Sequence, residues 1–278
     1  GLGDVYKRQP EGYQTLSTNN IQTSILPKKH FGIVLYTGDN TINRDISGLQ
    51  FKPDFVWIKP RNNVSNHCVL DSVRGVHNRL LINSSGANVN NAATIQAFNV
   101  DGFKIGNSSL VNTNGWAHVA WCWKAGGYSN TFNVDDVGYS TTSAAGITEG
   151  SVSLSGASVN REAGFSIVTA TAPGSGNFTI GHGLDSIPDV VISKSTGSSQ
   201  YWAIYFRPLT DTNRKYIQFN ELNLRTSGGD MWGASGHTST LPGLSAGNAM
   251  VAGDTFVCYS WACLLYTSSE PTRHASIS

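Results

Sequence analysis

GLQFKPDFVWIK, residues 48–59, is the stretch from which the fold of this chain is best predicted. Its Pro-Asp pair closes a turn, and a strand follows directly. Phe55 and Trp57 project from one face of that strand. Val56 and Ile58 project from the other, so both faces are apolar. Such a strand is buried on both sides, or has one face on the core and one beneath a loop.

The same pattern occurs again as GLDSIPDVVISK, residues 183–194. Both copies have Gly-Leu, Pro-Asp, an apolar run and a closing Lys at matching positions. FGIV at 31–34 is repeated as FSIV at 165–168, and the strand at 117–123 matches the one at 255–261. Two copies of about a hundred residues indicate two folded modules rather than a solenoid of many short units.

The chain as a whole reads as many short strands separated by turn signals. Apolar residues do not recur at helical spacing over any long window. We therefore predict an all-β protein of two tandem β-sandwich modules, of jelly-roll or lectin-like type. The predicted strands are 31–37, 55–59, 67–70, 79–83, 95–100, 102–105, 116–124, 165–168, 190–194, 201–205, 215–220 and 255–261.

Both ends of the chain look foreign to the rest. GLGDVYKRQ at residues 1–9 back-translates to a transposase mosaic end used in sequencing libraries. CLLYTS at 263–268 resembles its reverse complement, and SEPTR at 269–273 fits the adjoining adapter. We expect residues 1–9 and 263–278 to be adapter-derived and the remainder to be an internal fragment. A genuine polar tail at each end is the alternative.

These boundaries and the repeat predict the organisation of the chain. The expected parts are a connector from an upstream domain at 10–30, a first sandwich at 31–127, a linker with edge strands at 128–162 and a second sandwich at 163–262.

The charge balance of the chain argues against two classes of partner. Nineteen Lys and Arg residues stand against 18 Asp and Glu residues. The terminal segments hold three of the former and two of the latter, so the part between them is formally neutral. A neutral chain lacks the excess of positive charge that nucleic-acid binding needs. No apolar run is long enough for a membrane span, and we expect no membrane insertion.

Histidine and cysteine do not form a recognisable metal or catalytic pattern, so we expect no metal and no cofactor. Three cysteines outside the terminal segments are widely spaced and fit neither a zinc site nor a disulfide framework. His67, His118 and His182 fall on separate predicted strands, where half-buried polar roles compete with roles as ligands or bases. No nucleophile elbow opens a helix. The three cysteines are Cys68, Cys122 and Cys258.

Asp71 and Arg74 stand three residues apart across a predicted tight turn. One interpretation is a structural corner, in which the carboxylate accepts from backbone N–H groups and holds the guanidinium. The other is a ligand site.

Aromatic residues form two groups. Trp57, Trp121, Trp123 and Trp261 lie in apolar strands and are predicted to be core. A second group lies at strand starts or in polar loops, where flat rings beside amides suit stacking on a sugar. Rim aromatics that close the sandwich ends, or make a subunit contact, are the alternative. The candidate ligand-binding residues are Asn62, Asn63, His67, Trp116, Tyr201, Trp202 and Trp232.

Several motifs together resemble a repeat family seen in structural proteins of tailed phages. They are FGIVLYTG from Phe31, PDFVWIK from Pro53, LDSVRG from Leu70, NTNG from Asn112, VAWCWK from Val119, GFSIV from Gly164 and GHGL from Gly181. Proteins of this family are common in marine viral metagenomes and are usually labelled tail-fibre-like or as a domain of unknown function. The second repeat departs from the first at the Asp-Ser-Val-Arg-Gly corner, where it has Arg207-Pro208.

This resemblance implies a non-enzymatic virion module of a phage tail fibre, located on the extracellular particle. Its expected partners are a host-surface glycan or neighbouring virion subunits, in a homotrimer. One alternative is a purely architectural spacer. Another is a polysaccharide-degrading enzyme, which would need paired carboxylates in a groove.

Overall fold

The structure is a computed structural model that describes residues 26–148, 150–206, 216–218, 224–225, 243–246 and 250–262. Strands dominate these residues, which confirms the all-β prediction. Within them, helix is limited to a 3-10 turn at Pro27–Lys29 and a single helical turn, α1, at Ser109–Asn112. None of the described helices is long and apolar enough to cross a membrane.

Twenty strands follow one another along the described chain. Those of the first half are β1 Phe31–Thr37, β2 Arg44–Ser47, β3 Phe55–Pro60, β4 Cys68–Asp71, β5 Asn78–Leu81, β6 Val89–Asn90, β7 Ile95–Asn99, β8 Gly102–Ile105 and β9 Ala117–Trp123. Those of the second half are β10 Phe132–Val134, β11 Val137–Tyr139, β12 Leu154–Asn160, β13 Phe165–Thr171, β14 Gly176–Thr179, β15 Val190–Ser195, β16 Ala203–Phe206, β17 Tyr216–Gln218, β18 Leu224–Arg225, β19 Gly243–Ala246 and β20 Thr255–Trp261.

The two large sheets share one strand order. The first runs β1-β9-β3-β4-β5-β6, and the second contains β13-β20-β15-β16-β17 in corresponding positions. Their registers agree as well, because Phe31 lies opposite Trp123 in one sheet and Phe165 lies opposite Trp261 in the other. The repeat in the sequence is therefore also a repeat in sheet topology.

Strand β3, which contains Phe55 and Trp57, contributes to two different cores. Val56 and Ile58 are fully buried beneath the small sheet β2-β8-β7. Phe55 is buried on the opposite face, where it meets the second half of the chain. Trp57, on the same face as Phe55, is only half-buried.

A central aromatic core joins the two large sheets. The ring centroids of Phe55 and Tyr259 lie 4.7 Å apart, and those of Trp123 and Trp261 lie 6.0 Å apart. These rings meet edge to face, an arrangement that adds to the energy of apolar burial. Each sheet also has its own core on its outer face. The two halves are thus held together by apolar packing as well as by the chain that links them.

The segment between the repeats extends the second sheet. Strand β12 pairs antiparallel with β13, β10 pairs parallel with β12, and β11 forms the sheet edge. Edge strands were predicted at 128–136 and 151–154, but β12 runs to Asn160 and lies inside the sheet. Its residues, LSGASVN, are mostly small and polar, so the apolar pattern that marks the other buried strands is weak here.

Candidate functional site

The corner at Asp71 and Arg74 is a buried structural cluster. Asp71 Oδ1 accepts from the backbone N–H of Arg74 at 2.8 Å, and Oδ2 accepts from its Nε at 2.6 Å. The Tyr259 hydroxyl donates to the same Oδ2 at 2.6 Å. Burial raises the pKa of Tyr259 well above its ordinary value, so this hydroxyl keeps its proton. Asp71 is fully buried and both of its carboxylate oxygens accept hydrogen bonds within the protein, so an external ligand cannot reach it.

Of the aromatic residues predicted to bind a ligand, Trp202 is placed differently from the prediction. Its side chain is fully buried in the central core, and its Nε1 donates to the carbonyls of Leu81 at 2.9 Å and Ser84 at 3.2 Å. A ring in this position cannot stack on a sugar, so the binding role predicted for Trp202 is wrong. The neighbouring Tyr201 is exposed, and Trp232 lies outside the described residues.

Asn62, Asn63 and Trp116 lie close together at one end of the first large sheet. Asn62 Oδ1 accepts from the backbone N–H of Ala117 at 3.0 Å, and Asn63 donates to the same oxygen at 3.3 Å. Trp116, immediately before Ala117, is half-buried. The Asn62 amide oxygen thus bonds the residue that follows Trp116, and both asparagines are exposed.

His67 belongs to a different part of the same sheet. Its Nδ1 accepts from Trp57 Nε1 at 3.1 Å. Burial, together with the nearby charge of Lys59, lowers the pKa of His67, which favours the neutral ring that this bond requires. His118 and His182 are buried. Among the described residues, no three His, Cys, Asp or Glu side chains are grouped as a metal site would need.

All four tryptophans predicted to be core are only half-buried; they are Trp57, Trp121, Trp123 and Trp261. Trp57 and Trp121 lie opposite each other on β3 and β9, with ring centroids 5.6 Å apart, and both are half-buried. Beside them on β1, Ile33 is 55% exposed and Leu35 is 59% exposed.

Sequence reasoning missed an open cleft of about 420 Å³ in the first half of the chain. Tyr128, which is 40% exposed, forms part of its wall, and Lys52 Nζ lies 4.0 Å from the centroid of its ring. Lys124 forms an ion pair with Asp136 in the same cleft. The other lining residues are Gln50, Phe51, Asp54, Val100, Gly127 and Ser129.

Asp54 holds the wall of this cleft in place. It is 1% exposed, and its Oδ2 accepts from the backbone N–H groups of Ala125 at 2.8 Å and Gly127 at 3.3 Å. Its Oδ1 accepts from the Ser72 hydroxyl at 2.9 Å. Burial raises its pKa to about 6. The carboxylate therefore fixes the backbone that leads into Tyr128.

No short motif marks this cleft in the sequence. Lys52 adjoins the predicted turn, whereas Lys124, Tyr128 and Asp136 fall at or beyond the end of the first predicted module. The four side chains meet only because the segment after β9 turns back along the first sheet, where Asp54 holds it. Four polar or aromatic residues scattered over such a distance give no local signal.

These features define an all-β protein in which one arrangement of strands occurs twice around a shared aromatic core. Residues 26–265 match the model of a protein family described as Domain of unknown function (DUF7483). The chain belongs to this family. No curated protein and no solved structure matches the chain.

Proposed function

We propose that this chain is a virion structural module of a tailed phage, built of two tandem β-sandwich units, that binds a host-surface glycan. The phage assignment is supported by the motifs shared with tail-fibre-like proteins. The two-unit architecture is supported by the common strand order of the two large sheets. The observation that carries the binding proposal is the cleft around Tyr128.

The lining of the cleft suits a saccharide. A sugar ring presents C–H groups that pack on an aromatic face or edge, and hydroxyls that need donors and acceptors. Tyr128 supplies the aromatic surface, while Lys52, Gln50 and the Lys124–Asp136 pair supply polar groups. The volume of about 420 Å³ falls within the usual range for small-ligand sites. The cleft is open to solvent, so a saccharide can enter it.

The test is binding of the full chain to an array of bacterial surface polysaccharides, followed by titration of each one that binds. Tyr128→Ala should weaken binding by at least roughly 10-fold, the usual scale for loss of one stacked ring. Tyr201→Ala is the matched control, because Tyr201 is exposed to a similar extent but does not line the cleft. Binding that Tyr201→Ala abolishes and Tyr128→Ala preserves would move the site to the loops predicted from sequence. An array without any bound glycan would support the architectural spacer.

Hydrolysis of a polysaccharide is a second candidate, favoured by one observation. Asp54 and Asp136 both line the cleft, and the pKa of Asp54 is raised to about 6. Glycosidases use two carboxylates, one of them with a raised pKa. However, a general acid must reach the glycosidic oxygen, and Asp54 is buried with both oxygens accepting hydrogen bonds inside the protein.

Release of reducing ends distinguishes hydrolysis from binding. We expect none from the wild-type chain with any polysaccharide that it binds. Release that Asp136→Asn abolishes, with binding retained, would establish an enzyme instead.

A further inference from the structure

Four charged side chains line the Tyr128 cleft, and three of them have partners within the protein. Lys124 and Asp136 form an ion pair with each other. Asp54 is 1% exposed, and its carboxylate accepts hydrogen bonds from two backbone N–H groups and one hydroxyl. The fourth is Lys52, which forms no ion pair within the described part of the chain. The cleft therefore presents to a ligand an ammonium group that has no carboxylate partner.

The ring of Tyr128 positions this ammonium. Lys52 Nζ lies 4.0 Å from the ring centroid, which is a cation–π contact. The contact uses the face of the ring rather than a hydrogen-bond acceptor, so the N–H donors of the ammonium stay available. Because the ring restricts the side chain, Lys52 loses less conformational freedom on binding than a lysine extended into solvent. Tyr128 and Lys52 thus offer a ligand an aromatic surface and a positive charge side by side.

The turn that carries Lys52 does not require a lysine. Residues 48–59 and 183–194 are the two copies of one pattern, in which Lys52 corresponds to Ile187. Both residues come directly before the Pro-Asp pair that closes the turn. Ile187 is half-buried in the second repeat, whereas Lys52 is exposed in the first. The same turn thus forms with an apolar residue, so the charge of Lys52 is not needed to form it.

We propose that the Tyr128 cleft takes an acidic saccharide, one whose carboxylate or sulfate group binds Lys52. This inference rests on the proposed glycan-binding function and adds the class of glycan to it. A sugar that packs on the exposed part of the Tyr128 ring lies beside the ammonium and removes water from it. A neutral sugar leaves that charge without a partner, which costs free energy. An acidic sugar replaces the lost water with a charge-assisted hydrogen bond.

The test uses two pairs of polysaccharides, titrated against the full chain, in which the members differ only in their acidic group. The pairs are alginate with its carboxyl-reduced form, and dextran sulfate with dextran, so they distinguish a carboxylate from a sulfate. In at least one pair, the wild type should bind the acidic member at least roughly 10-fold more tightly than the neutral one. Lys52→Gln should lose this preference and keep the affinity for the neutral member. A preference that Lys52→Gln retains overturns the inference.

Lys28→Gln is the matched control, because Lys28 is exposed but does not line the cleft. It should keep the preference, whereas a general attraction between the protein and a polyanion would fall equally in the two lysine variants and overturn the inference. Thermal unfolding establishes that both variants are folded.

Failure of the inference is distinguishable from failure of the glycan-binding function. If neutral polysaccharides bind as tightly as acidic ones and Tyr128→Ala weakens both, the preference for acidic saccharides is wrong and glycan binding stands. If neither acidic probe binds, the inference is overturned as well. The glycan-binding function fails with it only if the array of bacterial polysaccharides also shows no bound glycan.

Discussion

The hydroxyl of Tyr259 donates a 2.6 Å hydrogen bond to Oδ2 of Asp71, a residue 188 positions earlier in the chain. Tyr259 occupies the position in the second repeat that Trp121 occupies in the first. Asp71 belongs to a corner that the second repeat lacks. The first repeat therefore contributes Asp71, and the second contributes Tyr259, to one buried hydrogen bond between them.

This contact predicts a graded loss of stability. Tyr259→Phe removes one hydrogen bond to a buried carboxylate and should lower the free energy of unfolding by about 1.5–3 kcal/mol. Asp71→Asn should cost more, about 3–5 kcal/mol, because it leaves the buried Arg74 guanidinium without its counter-charge. Urea unfolding measures both values. Tyr201→Phe, at an exposed position, is the control, and a Tyr259→Phe variant as stable as this control would contradict the prediction.

Asp54 predicts a pH dependence of a particular sign. Burial raises its pKa from an ordinary value of 3.8 to about 6, so the folded chain holds this proton more tightly than the unfolded chain. Its contribution to stability is therefore complete below pH about 4 and is lost as the pH rises through about 6. Relative to Asp54→Asn, the wild type should lose about 2–3 kcal/mol across this interval. Urea unfolding of both proteins at several pH values measures the difference in their free energies of unfolding. A difference that does not change between pH 4 and pH 6 would refute the prediction.

Neighbouring aromatic residues predict a contrast in the second repeat. Trp202→Ala should lower stability by about 3–5 kcal/mol, because it empties a fully buried site in the central core and leaves two backbone carbonyls without their donor. Tyr201→Ala should stay within about 0.5 kcal/mol of the wild type, as exposed positions usually do. Thermal unfolding distinguishes the two. Equal effects would show that Trp202 is not part of the core.

The Gly-Leu pair that opens both copies of the repeat predicts a conformational requirement. Gly48 has φ +116° and Gly183 has φ +73°, both in the region that side chains disfavour. Gly48→Ala should cost about 1–2 kcal/mol from strain alone, since nothing lies within 4 Å of an added Cβ. Gly183→Ala should cost more, because the added Cβ would lie 2.8 Å from Val159 Cγ2. Denaturant unfolding measures the loss of stability in each variant. A larger loss for Gly48→Ala than for Gly183→Ala would contradict this prediction.

Much of the strand pattern could be predicted from the sequence, because alternation of apolar residues is a local property. Strand β1 and strand β20 begin and end where the pattern predicted. Which face of a strand is covered depends instead on how distant strands pack, and this is where the predictions failed. Trp57, in an apolar strand, was predicted to be core, and Trp202, at a strand start, was predicted to bind a ligand, yet the structure half-exposes the first and buries the second.

The cleft was missed for a related reason. Lys52 precedes the strand predicted at 55–59, and Tyr128 lies in the segment predicted to be a linker. Their proximity follows from the buried Asp54 carboxylate, which draws the backbone of Ala125 and Gly127 against the first sheet. A contact of this kind depends on tertiary structure and leaves no periodic signal.

The central claim is that the chain is one repeated unit whose two copies are stabilised by a shared aromatic core. Hydrogen exchange of the native protein in low concentrations of urea tests it most directly, by comparing the amides of β9 with those of β20. The account predicts that both strands open with the same free energy and the same dependence on urea, because loss of the shared core unfolds both halves. Opening of one strand at a clearly lower free energy than the other would contradict it.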